Sequence, residues 1–430
     1  MNSLAFFAML LYFIIYSLGA PIQYVASLIG VQSLVTFSKV ALPGILILLG
    51  LVKIFLRMEI NKKVFSLTLL VIMSLLIAYF SRLPLVQIVY GLKTFMPFFG
   101  VYFYFFYFYK KKKDFKFLYR LMIPVTFLGL FVDKFIDFPW SNISIEVGGI
   151  EREISRSWET FGVERLAGFQ TASYDSAILI VILITLFGIS TFNKAEKSKK
   201  IRLYDSFLFL LGIYSIYLTT FKSAYVFIFV YLCFGLLKKY YNKTTQREKK
   251  FAGFLMKLTL LCLFLYSLIP PILSIMGINF FSKVGQSSNF MSNYLFKSYG
   301  IRMMHTWPDA LKLLDLASFS GWFGRGIGGV GTAQQYAEPL VYNAGDNFFL
   351  FIFITFGVLA IPLVLALLKL LLKMNFTENN WFIMGCLLLI IFTFGATINF
   401  IDSPFLMSIS GALLALYTNF YYNKLLKNNS

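Results

Sequence analysis

The chain has 430 residues, 59% of them hydrophobic and only 13% charged, with a mean hydropathy of +0.75. A soluble domain carries about 25% charged residues, so the composition excludes a soluble fold and indicates a polytopic membrane protein. The formal charge of +20 does not point to nucleic acid, because the lysines sit in short segments between apolar runs, as cytoplasmic loops do.

A membrane-crossing helix needs about 20 apolar residues. Such segments lie near 4–19, 38–57, 64–80, 86–109, 117–136, 168–192, 203–221, 222–241, 251–275, 347–373, 381–398 and 405–423. The expected fold is therefore an all-α polytopic integral membrane protein, residues 1–430 forming a single transmembrane domain of about 12 spans. The first apolar run, Leu4–Leu18, lacks a basic start and a small-residue cleavage site, and it reads as a retained span. Residues 20–37 fit either an interfacial helix or a further span. Cys233, Cys262 and Cys386 all lie in apolar runs and read as packing residues. A single histidine, His305, excludes a His-rich metal centre. No D-x-D pair is present, and Glu151-Arg152-Glu153 is a poor metal motif.

Lysine-rich segments at 53–63, 110–116, 193–202, 238–250 and from Lys424 onward fall on one side of the twelve-span arrangement, which is the cytoplasmic side. Both termini are then cytoplasmic, and two long loops, 137–167 and 276–346, face outward. The first has no lysine but six acids (Asp137, Glu146, Glu151, Glu153, Glu159, Glu164) against Arg152, Arg156 and Arg165. The second is too long for a simple connector, and such loops are usually functional.

Of ten arginines, six (Arg82, Arg152, Arg156, Arg165, Arg302, Arg325) lie on or near the outer side. A guanidinium presents a planar fork of donors suited to phosphate, whereas an ammonium is a point charge. An outward site rich in arginine suggests a phosphorylated substrate, and a lipid-linked pyrophosphate is the natural form of one outside the cytoplasm. Arg152 and Arg156 equally fit pairing with their neighbours Glu151, Glu153 and Glu159. Residues 293–319 read as an amphipathic helix interrupted at Pro308, with Arg302 and His305 three apart on one face. His305 is suited to proton transfer or to a structural hydrogen bond.

The stretch GRGIGGVG (324–331) contains G-x-G-x-x-G. It has no preceding strand, no βαβ pattern and an outward location, so it is not a dinucleotide fingerprint. Its glycines could bring backbone N–H groups close to an anion or act as a loop hinge. Asp346 and Asn347 stand where the next span begins, Asp346 as a helix cap or as a base for an attacking hydroxyl. Lys222 between two tightly joined spans and Lys93 inside a span are costly unless a site uses them, although Lys222 can snorkel to headgroups. Trp158, Trp307, Trp322 and Tyr336 could stack on sugars or belong to interfacial belts.

Several pieces together resemble the O-antigen polymerase and O-antigen ligase superfamily of bacterial inner-membrane enzymes. ERLAGFQTASYDSAIL (164–179) is similar to the arginine–glycine motif entering a span. YLTTFKSAYVFIF (217–229) resembles the span pair whose turn carries Ser-Arg. IRMMHTWPDALKLL with FGRGIGGVG resembles the large outer loop, and DNFFLFIFITFGVLAIPLVL (346–365) the motif opening the next span. Two departures stand out. Asp346-Asn347 occupies the place of the ligases' His-Asn, closer to the polymerase branch, and Lys222 stands where the family often has arginine.

The resemblance implies a GT-C-like membrane fold and a metal-independent glycosyltransferase that uses no cofactor. Its donor would be an undecaprenyl-pyrophosphate-linked oligosaccharide, polymerised into O-antigen, capsule or exopolysaccharide at the periplasmic face. The partners implied are that lipid-linked substrate, the bilayer, a chain-length regulator and a flippase, with no nucleic acid. Arg165, Arg302, Arg325 and Lys222 are the expected pyrophosphate ligands, with Asp346 and His305 as proton acceptors. The competing readings are a ligase, which hands finished glycan to a lipid A core, and a polysaccharide or solute transporter. A transporter would show inverted repeats and midplane sites, whereas the polar residues here concentrate in the outer loops.

Overall fold

A computed structural model describes residues 1–57, 62–109, 116–147, 149–156, 158–160, 163–192, 199–241, 245–278, 290–315, 317–374 and 379–428. Part of each lysine-rich segment (58–61, 110–115, 193–198, 242–244, 429–430) lies outside these residues, as do 279–289 of the second loop.

The molecule is mostly helical. Helix α1 (Asn2–Ser17) turns by 85° into α2 (Gly19–Leu28), and α3 (Gln32–Arg57) follows. Residues 20–37 are divided between α2, whose 10 residues span about 15 Å at 1.5 Å per residue, half a bilayer core, and the first turns of α3. Next come α4 (Lys62–Phe80), α5 (Leu85–Phe103) with a π-helical end to Phe108, and α6 (Lys116–Asp133). Two antiparallel hairpins fill the first predicted loop: β1 (Ser144–Val147) with β2 (Ile150–Glu153), and β3 (Trp158–Thr160) with β4 (Val163–Arg165). Helices α7 (Ser173–Phe192), α8 (Lys199–Thr219), α9 (Lys222–Tyr241) and α10 (Gln246–Ile275) lead to the second loop.

That loop contains α11 (Phe290–Ile301), a π turn (Arg302–Thr306), α12 (Trp307–Lys312), α13 (Phe319–Phe323) and the 3-10 segments Thr332–Tyr336 and Pro339–Val341. The π turn has a local cause. Pro308 has no N–H to give the preceding turn, so the ladder widens at Arg302–Thr306 and Trp307 N–H returns to the Arg302 carbonyl. The chain ends with α14 (Phe348–Phe356), a short 3-10 break (Gly357–Leu359), α15 (Ala360–Lys373), α16 (Asn379–Gly395) and α17 (Pro404–Asn428).

The predicted apolar segments fall mainly on these helices, with 347–373 divided between α14 and α15. Among the described residues, four are long and apolar enough to cross a membrane: Gln32–Leu56, Leu85–Phe108, Gln246–Ile275 and Phe348–Lys373. The bent α1–α2 pair would be a fifth, and several other apolar helices are shorter. Helix α5 is the hub, packed against α3, α17 and the 3-10 segment at Thr332–Tyr336. Phe55, Leu210, Phe229 and Leu365 stand exposed on outward faces, a distribution that suits hydrocarbon surroundings rather than water. A small second core of Ala20, Trp140, Ile145 and Ile154 seats the first hairpin on α2.

The glycine stretch is buried within the bundle. The N–H groups of Arg325 and Gly326 donate to the carbonyls of Ile354 and Thr355 (2.8 and 3.0 Å), which the break after α14 leaves without helical partners. Ile327 N–H donates to Ser74 O of α4 at 3.3 Å. Gly326 has φ +79°, and a Cβ there would overlap the Ala78 backbone. Gly357, at φ +54°, lies so close to Trp322 O and Gly324 N that it too has no room for a side chain. The backbone donors at 325–327 are thus committed to helix carbonyls rather than offered to an anion. Non-helical backbone is tolerated at membrane depth only when satisfied in this way.

Candidate active site

The first hairpin sorts its charges by strand alternation. Along β2, Ile150 and Arg152 are half-buried while Glu151 and Glu153 are exposed. Arg152 therefore turns away from its neighbouring glutamates. Its guanidinium lies 5.4 Å from the ring centre of Tyr336, and Nη2 donates to Gln335 Oε1 at 3.4 Å. Arg156 keeps the sequence-local pairing, at 3.7 Å from Glu153 on the surface. Tyr336 stacks on Tyr90 of α5 with 3.5 Å between ring centres, and Lys93 lies 5.3 Å from the Tyr90 ring. Burial pushes the Tyr336 hydroxyl up to about 12, so it stays a proton-bearing donor at neutral pH. The two predicted outer loops thus meet over α5.

A second convergence forms at the start of α14. Arg302 Nε donates to Asp346 Oδ2 at 3.2 Å, and Arg302 Nη1 donates to Ser298 O at 3.1 Å. Trp307 is fully buried, and its indole N–H holds the Asp346 carbonyl at 3.3 Å. Capping of α14 falls to Asn347 rather than Asp346: the buried Asn347 Oδ1 accepts from Phe349 N and Leu350 N at 2.9 and 3.1 Å. Its amide donates to Ser267 O at 2.8 Å. Asp346 is thereby released from capping and faces Arg302.

Lys222 opens α9 after a tight turn at Thr220, whose φ is +52°. Thr220 Oγ1 donates to Glu164 O at 3.4 Å, tying this turn to β4. Where β4 leaves for α7, Asp133 Oδ2 accepts from Ala167 N and Gly168 N at 3.0 and 2.8 Å, which fixes the strand end carrying Arg165. Lys222 lies within electrostatic reach of both Arg165 and Arg302. Four separate elements are thus linked in sequence: Arg165 and Arg302 act electrostatically on Lys222, and Arg302 pairs with Asp346.

The other two expected site residues lie elsewhere. Arg325 Nη2 is 2.7 and 2.9 Å from the two Glu338 oxygens, and Nη1 donates to Gly329 O at 2.9 Å. Gln87 of α5 donates to the same carboxylate at 3.0 Å. Arg325 is an internal tie of the glycine stretch. His305 is exposed while Arg302 is half-buried, so the widened turn removes the shared face expected for them. Trp307 is sealed in the core and cannot stack on a ligand, Trp322 is exposed, and the Trp158 side chain lies outside the described residues.

Between the clusters sit groups the sequence reading did not single out. Asp402, in the loop before α17, accepts Thr332 N–H at 2.7 Å and the Asn399 amide at 2.6 Å, and faces Arg152. Burial raises its carboxyl above the usual carboxylate range, against these hydrogen bonds. Tyr342 lies within electrostatic reach of Asp402, Asp346, Arg156 and Arg152. Asp175 of α7 and Lys39 of α3 face one another. Lys39 and Asp175 were legible as ionisable residues inside apolar runs, whereas nothing local marks Asp402.

No protein-family model matches the chain, and no curated protein or solved structure is significantly similar to it.

Proposed function

We propose that the chain is a bacterial inner-membrane glycosyltransferase of twelve spans and GT-C-like fold, with both termini cytoplasmic. It polymerises undecaprenyl-pyrophosphate-linked oligosaccharide repeats at the periplasmic face. The observation that carries the reading is the Arg302–Asp346 pair at 3.2 Å, with Lys222 within electrostatic reach of Arg302 and Arg165.

The reaction needs two things from the protein. As a hydroxyl of one repeat attacks the anomeric carbon of another, the bond to the lipid pyrophosphate breaks and negative charge builds on the departing phosphate. Fixed cations in a site with little water stabilise that charge, usually the largest catalytic contribution. Arg165 and Arg302 supply forked donors and Lys222 a point charge. The attacking hydroxyl must also lose its proton, and Asp346 is the acceptor: Arg302 and Trp307 hold it in place, and Asn347 relieves it of capping. Arg325 acts at a distance, keeping the glycine stretch and Glu338 in place, and the exposed His305 stands in reserve at the rim.

The test is the glycan profile of a strain lacking the chain, complemented by variants. Arg165→Ala, Arg302→Ala and Asp346→Asn should each lower polymer formation about 100-fold, the usual cost of one removed charge-stabilising group. Membrane levels should stay normal and single-repeat lipid-linked intermediate should accumulate. Normal chain lengths in Arg302→Ala and Asp346→Asn would overturn the assignment. Product found only on a lipid A core acceptor would move it to ligation.

A further inference from the structure

A second group of cations takes no part in the chemistry above. Lys39 of α3, Lys93 of α5 and Arg152 of β2 act on one another electrostatically. Among the described residues none of the three forms an ion pair with a carboxylate. Two acids within electrostatic reach of them are engaged elsewhere: Asp175 accepts the Thr171 hydroxyl at 2.9 Å, and Asp402 holds Thr332 and Asn399. Lys39 Nζ reaches Gln23 Oε1 at 3.4 Å, and Arg152 Nε is buried with no hydrogen-bond partner. Three like charges gathered beside apolar helices repel one another, and an anion bound among them would offset that cost.

A cleft of about 500 Å³ between α3 and α5 adjoins this group. Thr36, Phe37 and Val40 line one wall and Val89, Leu92 and Met96 the other, with Lys93 between them and the exposed Glu146 also on the lining. Phe37, Val89 and Leu92 are themselves exposed, and both helices are among the four long apolar ones. The cleft therefore runs from hydrocarbon-facing side chains to Lys93, the member of the cation group on its lining. A single hydrocarbon chain bearing a phosphate head has the complementary chemistry.

We propose that Lys39, Lys93 and Arg152 bind the phosphate head of a second lipid carrier whose chain lies in the α3–α5 cleft. This rests on the polymerase reading, in which both reactants are carried on lipid phosphates. The donor's pyrophosphate sits at Arg165, Lys222 and Arg302, and the acceptor's at this second group.

The experiment uses the full chain in lipid nanodiscs and a polyprenyl pyrophosphate with a photoreactive group on its chain, with labelled peptides mapped by mass spectrometry. Labelling is expected on α3 and α5. Lys93→Ala and Arg152→Ala should each reduce it about tenfold, the scale of one charge-assisted contact. Lys93→Arg should restore it, and Thr36→Phe should block it while leaving both cation groups intact. None of these variants should change labelling near α9 and α12, which Arg302→Ala should reduce instead. Absence of label on α3 and α5 would overturn the proposal, as would label there that is indifferent to Lys93 and Arg152. The readout needs no turnover, so the two failures separate. An unlabelled cleft in a chain that still makes polymer refutes the second site alone. A labelled cleft in a chain whose loss leaves the polymer unchanged refutes the polymerase reading alone.

Discussion

Replacing Gly326 by alanine tests whether the glycine stretch is an inserted packing element. The added Cβ would stand 2.5 Å from Ser74 O and 2.6 Å from Ala78 Cα, both on the backbone of α4, which cannot swing aside as a side-chain tip can. At φ +79° an L-residue also carries a conformational cost of about 1–2 kcal/mol. Overlap with fixed backbone adds about 1–3 kcal/mol, and loss of the Gly326 N–H bond to Thr355 O adds about 1 kcal/mol. The expected total is about 4 kcal/mol. Gly149 is the control: its φ is +82°, yet nothing lies within 4 Å of its would-be Cβ, so Gly149→Ala should cost only the conformational part. Denaturant titration of the purified protein in mixed micelles, followed by tryptophan fluorescence, compares the two variants. Equal losses would show that Gly326 meets no close neighbour, and the insertion of 324–331 between α4 and the α14 break would be wrong.

Asn347→Ala should destabilise by about 2 kcal/mol, because it strips a cap and leaves Ser267 O without its donor. Asn347→Ser should recover part of the loss in the same titration. Glu338→Gln leaves the Arg325 guanidinium, 12% exposed, without its counter-charge and should cost about 3 kcal/mol. The pair Arg325→Met with Glu338→Gln should be milder than Glu338→Gln alone, and additive losses would argue against the tie. For Asp402 the carboxyl is raised in the folded state, so its neutral form is favoured there. Its contribution to stability is present below the usual carboxylate range and lost as pH rises through the raised value. Asp402→Asn should flatten that part of the stability–pH curve, and an identical slope in both proteins would refute the shift.

The apolar segments were legible because a helix in hydrocarbon must be apolar over its whole length, a property visible in any window of the sequence. What happens between the segments was not. The hairpin at 144–153 is written in Ile-Glu-Arg-Glu alternation, but a four-residue strand is short against the noise of a polar loop, and the reading kept the whole segment as loop. That alternation decides the fate of Arg152, which adjacency in sequence assigned to its glutamates and strand geometry sends to Tyr336. Pro308 signalled an interruption but not a π turn, so Arg302 and His305 were given one face when the widened ladder separates them. Asp346 and Asn347 are both good capping residues, and only the backbone shows that Asn347 takes the role. The glycines carried the most misleading local signal. Their positive φ values were foreseeable, but the partners they make room for lie on α4 and α14, far along the chain.

The break in α14–α15 connects these features. A helix interrupted at Gly357 releases the Ile354 and Thr355 carbonyls, and in an apolar bundle they need donors. The backbone of Arg325 and Gly326 supplies them, so the second loop is drawn into the bundle rather than left above it. Once there, Gln87 and Glu338 fix the arginine, and the chain returning through Thr332–Tyr336 places Tyr336 on Tyr90 and under Arg152. The same loop ends at Asp346, against Arg302. One inserted segment therefore touches a member of each cation group, Arg152 through Tyr336 and Arg302 through Asp346. This gives the double proposal a structural consequence: shortening 332–342 should disturb labelling at α3–α5 and polymer formation together, whereas substitutions within either group should disturb them separately.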